Sequence, residues 1–356
     1  MYPVVVGGAE RRFYEVGRRL AKDHEVHLIS WSYYSNINLE GMSFRGLGPP
    51  PKLHGTNGRR RLLEAASFGA YLARFLAREQ FDVIDCCSIP YSSVYVASRL
   101  HGAAAFVATW HEFLGDGWRS YMRYMAPLLS RIESGSAQLA DHRVAVSEFT
   151  QGRLPPGPPT TVIPNGVDLD AIRMTPKASD GPSILVVGRL MPHKRIELAL
   201  EALTLTPGET TMAIVGDGPD EGRLRRRTSA LGLESRVTFQ PSLDQGSLIG
   251  LMKAATLLVQ PSELEGQSMV VRESMACGLP VVVATGPHSG ASENVIAGET
   301  GLVAEPTKEG LARELNKLLL DAALREDLSR NAARACETLD WSEVTRKTEM
   351  LYASLT

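Results

Sequence analysis

No run of 18 consecutive apolar residues interrupts the 356-residue chain, and no basic-apolar-small pattern opens it, which speaks against a spanning helix and a secretory leader. A cytoplasmic protein, soluble or peripheral at the inner membrane face, is expected. Cysteine is scarce. Cys86, Cys87, Cys277 and Cys336 form no Cys-x-x-Cys and have no histidine at zinc-ligand spacing. This argues against a disulfide framework or a metal site, and the thiols read as reduced and mostly buried. An excess of one charge is also missing, the net being -2. Nucleic-acid binders normally carry a strong basic excess, so no nucleic-acid partner is expected. Internal repeats and low-complexity tracts are absent.

What remains is a soluble globular composition, 44% hydrophobic and 22% charged, in a chain long enough for two domains with full cores. The charge is unevenly divided. Residues 1–165 hold 18 Lys+Arg against 14 Asp+Glu, and the remainder 20 against 26. Strands are expected at Glu25–Ser30, Val83–Cys86, Ala104–Thr109 and Arg143–Val146. A turn-rich segment runs through Gly48-Pro49-Pro50-Pro51, and a helix is expected from Arg59 to Gln80. Its Phe68, Leu72, Phe75 and Leu76 share one face, while Arg60, Arg61, Arg74 and Arg78 lie mostly elsewhere, either solvated or meeting an anionic lipid. Composition shifts at Pro155-Pro156-Gly157-Pro158-Pro159, which places a hinge between Asn165 and Pro182. A second alternating series follows, with strands at Ser183–Val187, Thr211–Val215, Arg236–Phe239, Thr256–Gln260 and Val281–Ala284, and helix beyond Thr300-Gly301-Leu302-Val303. Alternation of this kind predicts parallel doubly wound sheets, whose ligands bind beyond the carboxyl ends of the strands.

Several stretches carry chemistry. Glu265-Gly266-Gln267-Ser268-Met269-Val270-Val271-Arg272-Glu273 sets one carboxylate in a loop and another in a helix, up to ~12 Å apart along the axis. That span suits an extended nucleotide sugar, with a ribose diol at one carboxylate, hexose hydroxyls at the other and a diphosphate at the helix N-terminus between them. Gly188-Arg189, followed five residues later by Lys194, can clamp two phosphates with fixed positive charge. Gly7-Gly8 stands at a helix N-terminus and reads either as a close backbone approach to phosphate or sugar or as a plain turn. Trp110-His111-Glu112 falls at the carboxyl end of a strand. Gly216-Asp217-Gly218-Pro219 imitates a dinucleotide fingerprint but lacks the acidic residue that should follow the next strand, so it reads equally as a tight turn.

The run from Glu265 through Glu273-Ser274-Met275-Ala276-Cys277-Gly278-Leu279-Pro280 resembles the signature of the retaining family-4 glycosyltransferases of GT-B fold, the glycosyl transferases group 1. The resemblance extends over nearly the whole chain. It implies two Rossmann-like doubly wound parallel-sheet domains facing across a cleft. Residues 1–165, joined by a returning helix at 341–356, would bind the acceptor, and residues 166–340 the nucleotide sugar. It further implies roles: Glu273 at the ribose, Glu265 at the sugar, Arg189 and Lys194 at the diphosphate, His111 near the sugar C6, and Gly7 and Gly8 at the diphosphate and acceptor. Gly188 and Gly216 would border the nucleotide, Leu243 would meet the base through main-chain groups, and Gly266, Gln267, Ser268 and Met269 would line the donor. Thr285 to Gly290 is expected as a flexible loop near the diphosphate. Two departures stand out: Gln267-Ser268 replaces the usual Phe-Gly, and Arg195 replaces the glycine after the lysine.

The expected activity is hexosyl transfer from a nucleoside-diphosphate sugar to an acceptor hydroxyl, on a sugar, a lipid-linked molecule or a small molecule, with retention of anomeric configuration. No cofactor and no metal are expected, since two cations already supply the charge that Mg²⁺ otherwise gives. An anionic membrane surface is a further expected partner. A nucleotide-sugar epimerase of the same fold is the alternative enzyme, and a silent sugar-nucleotide binder the alternative outside catalysis. A last expectation concerns the first strand. Only Val4, Val5 and Val6 stand between Tyr2-Pro3 and Gly7, so the first sheet is expected either to have a gap near its middle or to need residues upstream of Met1.

Overall fold

The computed structural model describes residues 7–32, 39–49 and 62–356. The chain divides into two compact units, Met1–Gly166 with Trp341–Thr356, and Val167–Asp340.

In the first unit, β1 (His27–Ser30) pairs in parallel with β2 (Ser43–Gly46). A separate parallel sheet has the order β3 (Val83–Cys87), β4 (Ala105–Trp110), β5 (His142–Ala145), β6 (Thr160–Val162). Among the described residues no strand joins the two sheets, and Val4 to Val6 lie outside those residues. Strand β2 falls in the segment expected to be turns. Its Ser-Phe-Arg-Gly sequence has no apolar alternation and is largely exposed, so pairing with β1 rather than local pattern makes it a strand. The helix expected from Arg59 occupies Leu62–Leu76, with residues 59–61 outside the described ones. It buries Phe68, Leu72 and Leu76 as its spacing requires.

The spacing of Phe13, Val16, Gly17 and Leu20 predicts one apolar face for the first helix, Gly8–Leu20, and the structure departs from it in part. Arg11, Arg12 and Glu15 are buried beside Val16 and Gly17, whereas Phe13 and Leu20 are half-buried. Hydrogen bonds explain the inversion. Arg12 donates through Nη1 to the carbonyls of Ile163 at 2.8 Å and Pro164 at 3.1 Å and to Asn165 Oδ1 at 3.2 Å, so its charge is buried with partners. Glu15 accepts from Arg18 at 2.8 Å and from Arg19. The returning helix, Trp341–Leu355, is fastened to the same unit by Tyr352, whose hydroxyl donates to Asp85 Oδ2 at 2.7 Å. Thr109 donates to the same carboxylate. Burial pushes the Asp85 carboxyl up from its ordinary value, against the lowering by these two hydroxyls and the nearby Arg12 charge.

The second unit is built on a six-stranded parallel sheet. Its strands are β7 (Ile184–Val187), β8 (Met212–Val215), β9 (Val237–Gln240), β10 (Leu257–Gln260), β12 (Val281–Ala284) and β14 (Leu302–Ala304), in the order β14-β12-β10-β7-β8-β9. Two short strands, β11 (Leu264–Glu265) and β13 (His288–Ser289), pair with each other outside it. Both faces of the large sheet are covered, so its central strands read as unbroken apolar runs. Ile184 and Val186 point into one core with Leu200, Ile214 and Leu315. Leu185 and Val187 point into the other with Val271, Met275 and Ala332. Of the cysteines only Cys336 is buried; Cys86, Cys87 and Cys277 are half-buried, which corrects the expectation of mostly buried thiols.

Candidate functional site

In the second unit the sequence-predicted residues gather beyond the carboxyl ends of β7, β8 and β10. Strand β7 ends at Val187 and turns through Gly188, at φ 148°, into exposed Arg189. No atom stands within 4 Å of the place a Gly188 side chain would occupy. Gly216, at φ 141°, follows β8, and a Cβ there would meet the Gly188 carbonyl oxygen at 2.1 Å. The two turns are also bonded to each other: Leu190 N donates to Asp217 O at 2.9 Å, and Asp220 N to Leu190 O at 3.0 Å. Gly216 therefore packs one turn on another, while Gly188 leaves open backbone.

The chain continues through a single 3-10 turn, Pro192–Lys194. Lys194 Nζ stands 2.6 Å from Glu265 Oε2, with 20% and 15% of the two side chains exposed. Glu265 lies in β11, not in a loop as expected, and its backbone is held in register with Ser289. Within the Thr285 to Gly290 segment, which the resemblance implies to be a flexible loop, His288 and Ser289 form β13 and pair with β11. Gln260 and Ser262, neither of which the motif singles out, complete the setting. Gln260 Nε2 donates to Ser262 Oγ at 2.6 Å and reaches Glu265 Oε2 at 3.4 Å. Only their place at and just beyond the end of β10 could have marked them in the sequence.

The helix Met269–Ala276 follows. Ser268 caps it, its hydroxyl accepting from Val271 N at 3.4 Å. Glu273 sits one turn in and is 8% exposed, and Gly266, Gln267 and Ser268 are buried beside it. Leu243 is half-buried beyond β9 and packs against the core. One Asp-x-Asp occurs in the chain, Asp168-Leu169-Asp170, and both side chains have structural partners. Asp168 caps a helix by accepting from Ala171 N at 2.9 Å, and Asp170 pairs with Arg173. Among the described residues no three His, Cys, Asp or Glu side chains cluster to hold a metal.

In the first unit, Gly7 is the N-cap of the Gly8–Leu20 helix, and the Glu10 carboxylate lies against it. His111 follows the last residue of β4, its ring 6.3 Å from that of Phe13. Its Nε2 is buried without a hydrogen-bond partner. Burial, reinforced by the positive charge of Arg12, pushes its pKa down to about 3. The imidazole is therefore neutral at pH 7 and offers hydrogen bonding rather than charge.

Residues 6–171 match the family described as Glycosyltransferase Family 4, and residues 170–335 match Glycosyl transferases group 1. The chain belongs to these glycosyltransferases. The D-inositol 3-phosphate glycosyltransferase of Acidothermus cellulolyticus is 32% identical over 200 residues, 53% of this chain and 44% of that protein. The GDP-mannose-dependent alpha-(1-6)-phosphatidylinositol monomannoside mannosyltransferase of Mycolicibacterium smegmatis is 30% identical over 249 residues, 63% of each chain. The chain thus spans about half the length of the curated relatives it matches. Among solved structures, sucrose-phosphate synthase from Thermosynechococcus elongatus superposes with a TM-score of 0.83 at 20% identity, covering 99% of this chain and 94% of that one. HepE of Anabaena, in complex with UDP-glucose, gives a TM-score of 0.77 at 20% identity, covering 98% and 97%. The fold is GT-B.

The two departures from the glycosyltransferase pattern have local explanations. Arg195 stands where the family has glycine, and its backbone is left-handed, φ 51°, a conformation that costs a residue with a Cβ about 1–2 kcal/mol. Its guanidinium donates to the Pro306 carbonyl at 3.1 Å, which holds the strained turn. Ser268 stands where the family has its second glycine. Its φ of -87° is open to any residue, and its hydroxyl supplies the helix cap.

Proposed function

We propose that this chain transfers a hexosyl group from a nucleoside-diphosphate sugar to an acceptor hydroxyl with retention at the anomeric carbon. The observation that carries the reading is the Lys194–Glu265 pair at 2.6 Å, set on the turn that follows β7 and on strand β11, with the buried Glu273 beyond it on a serine-capped helix. Glu273 accepts the ribose hydroxyls. Arg189 and Lys194 meet the diphosphate as its charge develops, and the open backbone at Gly188 lets it approach closely. Glu265 orients the hexose hydroxyls, and its contact with Lys194 couples sugar position to phosphate charge. His111, neutral, takes the hexose near C6, and Gly7 and Gly8 meet the diphosphate and acceptor. The departing phosphate oxygen accepts the acceptor proton on the same face that the acceptor attacks, so the reaction uses no protein nucleophile, and Arg189 and Lys194 stand in for the charge of a metal.

The names of the relatives support a polyol, sugar or lipid-linked hydroxyl as acceptor. The basic first half supports peripheral contact with an anionic membrane at the cytoplasmic face, and among the described residues no helix is long and apolar enough to cross one. The test begins with thermal shifts by UDP, GDP and ADP sugars, since a ligand at 100 times its Kd adds about 2.7 kcal/mol. The donor so found is then incubated with an acceptor panel, with and without EDTA. A retained glycoside formed in EDTA supports the reading. Epimer formed from donor alone would instead make the protein an epimerase, and strict Mg²⁺ dependence would overturn the metal-free arrangement.

A further inference from the structure

We propose that the stretch from Arg119 to Arg131 in the first unit is the surface by which this protein docks on an anionic lipid bilayer. The inference rests on the membrane contact in the functional reading above and gives it a place on the molecule. Large apolar side chains exposed singly are ordinary on a protein surface. Here Tyr124 is 96% exposed, Leu128 54% and Met125 39%, all within five residues. Arg119, Arg123 and Arg131 are exposed around them, and among the described residues none forms an ion pair.

The neighbouring carboxylates are occupied elsewhere. Between Gly117 and Ser136 the only acidic residue is Glu133, and it is fully buried. Glu133 accepts from Tyr91 Oη at 2.7 Å, Leu114 N at 2.9 Å, Gly115 N at 2.7 Å and Trp118 Nε1 at 3.0 Å. Asp116, just outside the stretch, pairs with Arg153 at 2.7 Å. The exposed surface is thus cationic and apolar at once. Its base is rigid, because Glu133 fastens the 114–118 segment to the Ala126–Ser136 helix. That helix buries Ala126, Leu129, Glu133 and Ser136, which leaves Leu128 and Arg131 on its opposite face. A solvated basic face would not need an exposed tyrosine, methionine and leucine among its arginines. A bilayer of anionic lipid uses both kinds of group: guanidinium at the phosphate level, and the tyrosine ring and aliphatic chains at the interface below.

The test is sedimentation of the full chain with phosphatidylcholine vesicles and with vesicles containing about 30% phosphatidylglycerol, at low and high salt. Binding is expected to the anionic vesicles alone and to weaken with salt. Replacing Arg119, Arg123 and Arg131 by alanine should weaken it about a hundredfold, at roughly fivefold per arginine, and Tyr124→Ser with Leu128→Ser should also weaken it. Arg74→Ala with Arg78→Ala, on and just beyond the Leu62–Leu76 helix, should leave it nearly intact. Tyr124→Trp provides a readout that needs no loss of function. The native Trp31, Trp110, Trp118 and Trp341 are all buried, so a blue shift on adding anionic vesicles reports the new side chain. If the wild-type chain binds no anionic vesicle, the membrane reading fails altogether. If it binds but the loss follows Arg74 and Arg78, or Tyr124→Trp shows no shift, only this placement fails. Dimerisation abolished by the Tyr124 and Leu128 changes, without lipid binding, would assign the surface to a second copy and overturn the proposal.

Discussion

Lys194 and Glu265, 71 residues apart in sequence, meet at 2.6 Å. Each belongs to a separate motif, one proposed above as a phosphate clamp and the other as a sugar-binding carboxylate. Their contact means that neither charge is free to act alone.

Lys194→Ala is accordingly expected to lower turnover by about 10²-fold or more, the scale for a preorganised charge partner, and Glu265→Ala to depress turnover more than donor affinity. A double-mutant cycle in kcat should show coupling of about 0.5–3 kcal/mol. Strictly additive effects would mean that the pair does not act as a unit in the reaction.

Glu273→Ala removes an acceptor of charge-assisted hydrogen bonds, worth about 1.5–3 kcal/mol each. Donor affinity measured by calorimetry should fall tenfold or more while the thermal transition persists. Unaltered affinity would remove the ribose assignment.

His111 ties stability to pH. Its folded pKa is about 3 against an ordinary 6.5, so the unfolded chain binds the extra proton first. The stability it contributes is present above pH 6.5 and is lost as pH falls towards 3. Urea unfolding between pH 7 and 4 should therefore show a shallower loss of stability in His111→Gln than in the wild type. Parallel curves would show that His111 charges as easily folded as unfolded.

Gly216→Ala is expected to destabilise the second unit more than Gly188→Ala. Both positions have positive φ, a strain of about 1–3 kcal/mol for alanine, but only at 216 would the new methyl strike backbone, the Gly188 oxygen at 2.1 Å. Thermal melts of the two variants compare the terms directly. Equal losses would show that the turns can move apart.

The sequence by itself determined the alternation of buried strands and helices. A parallel strand covered on both faces must be an apolar run, and Val281–Ala284 or Ile184–Val187 can be little else. It also determined the glycine turns and the two-glutamate stretch, because a positive φ and a helix cap each select residue types within a few positions. Tertiary structure decided what depends on partners far along the chain. Strand β2 exists through β1, and the first helix buries Arg12 instead of Phe13 because the carbonyls of Ile163 and Pro164 receive the guanidinium. Glu265 stands in a strand because Ser289 pairs beside it, and its charge faces Lys194 because the turn after β7 and strand β11 converge. Local chemistry is written in spacing. The energy of burying a charge depends on which groups surround it, and those come together only when the chain has folded.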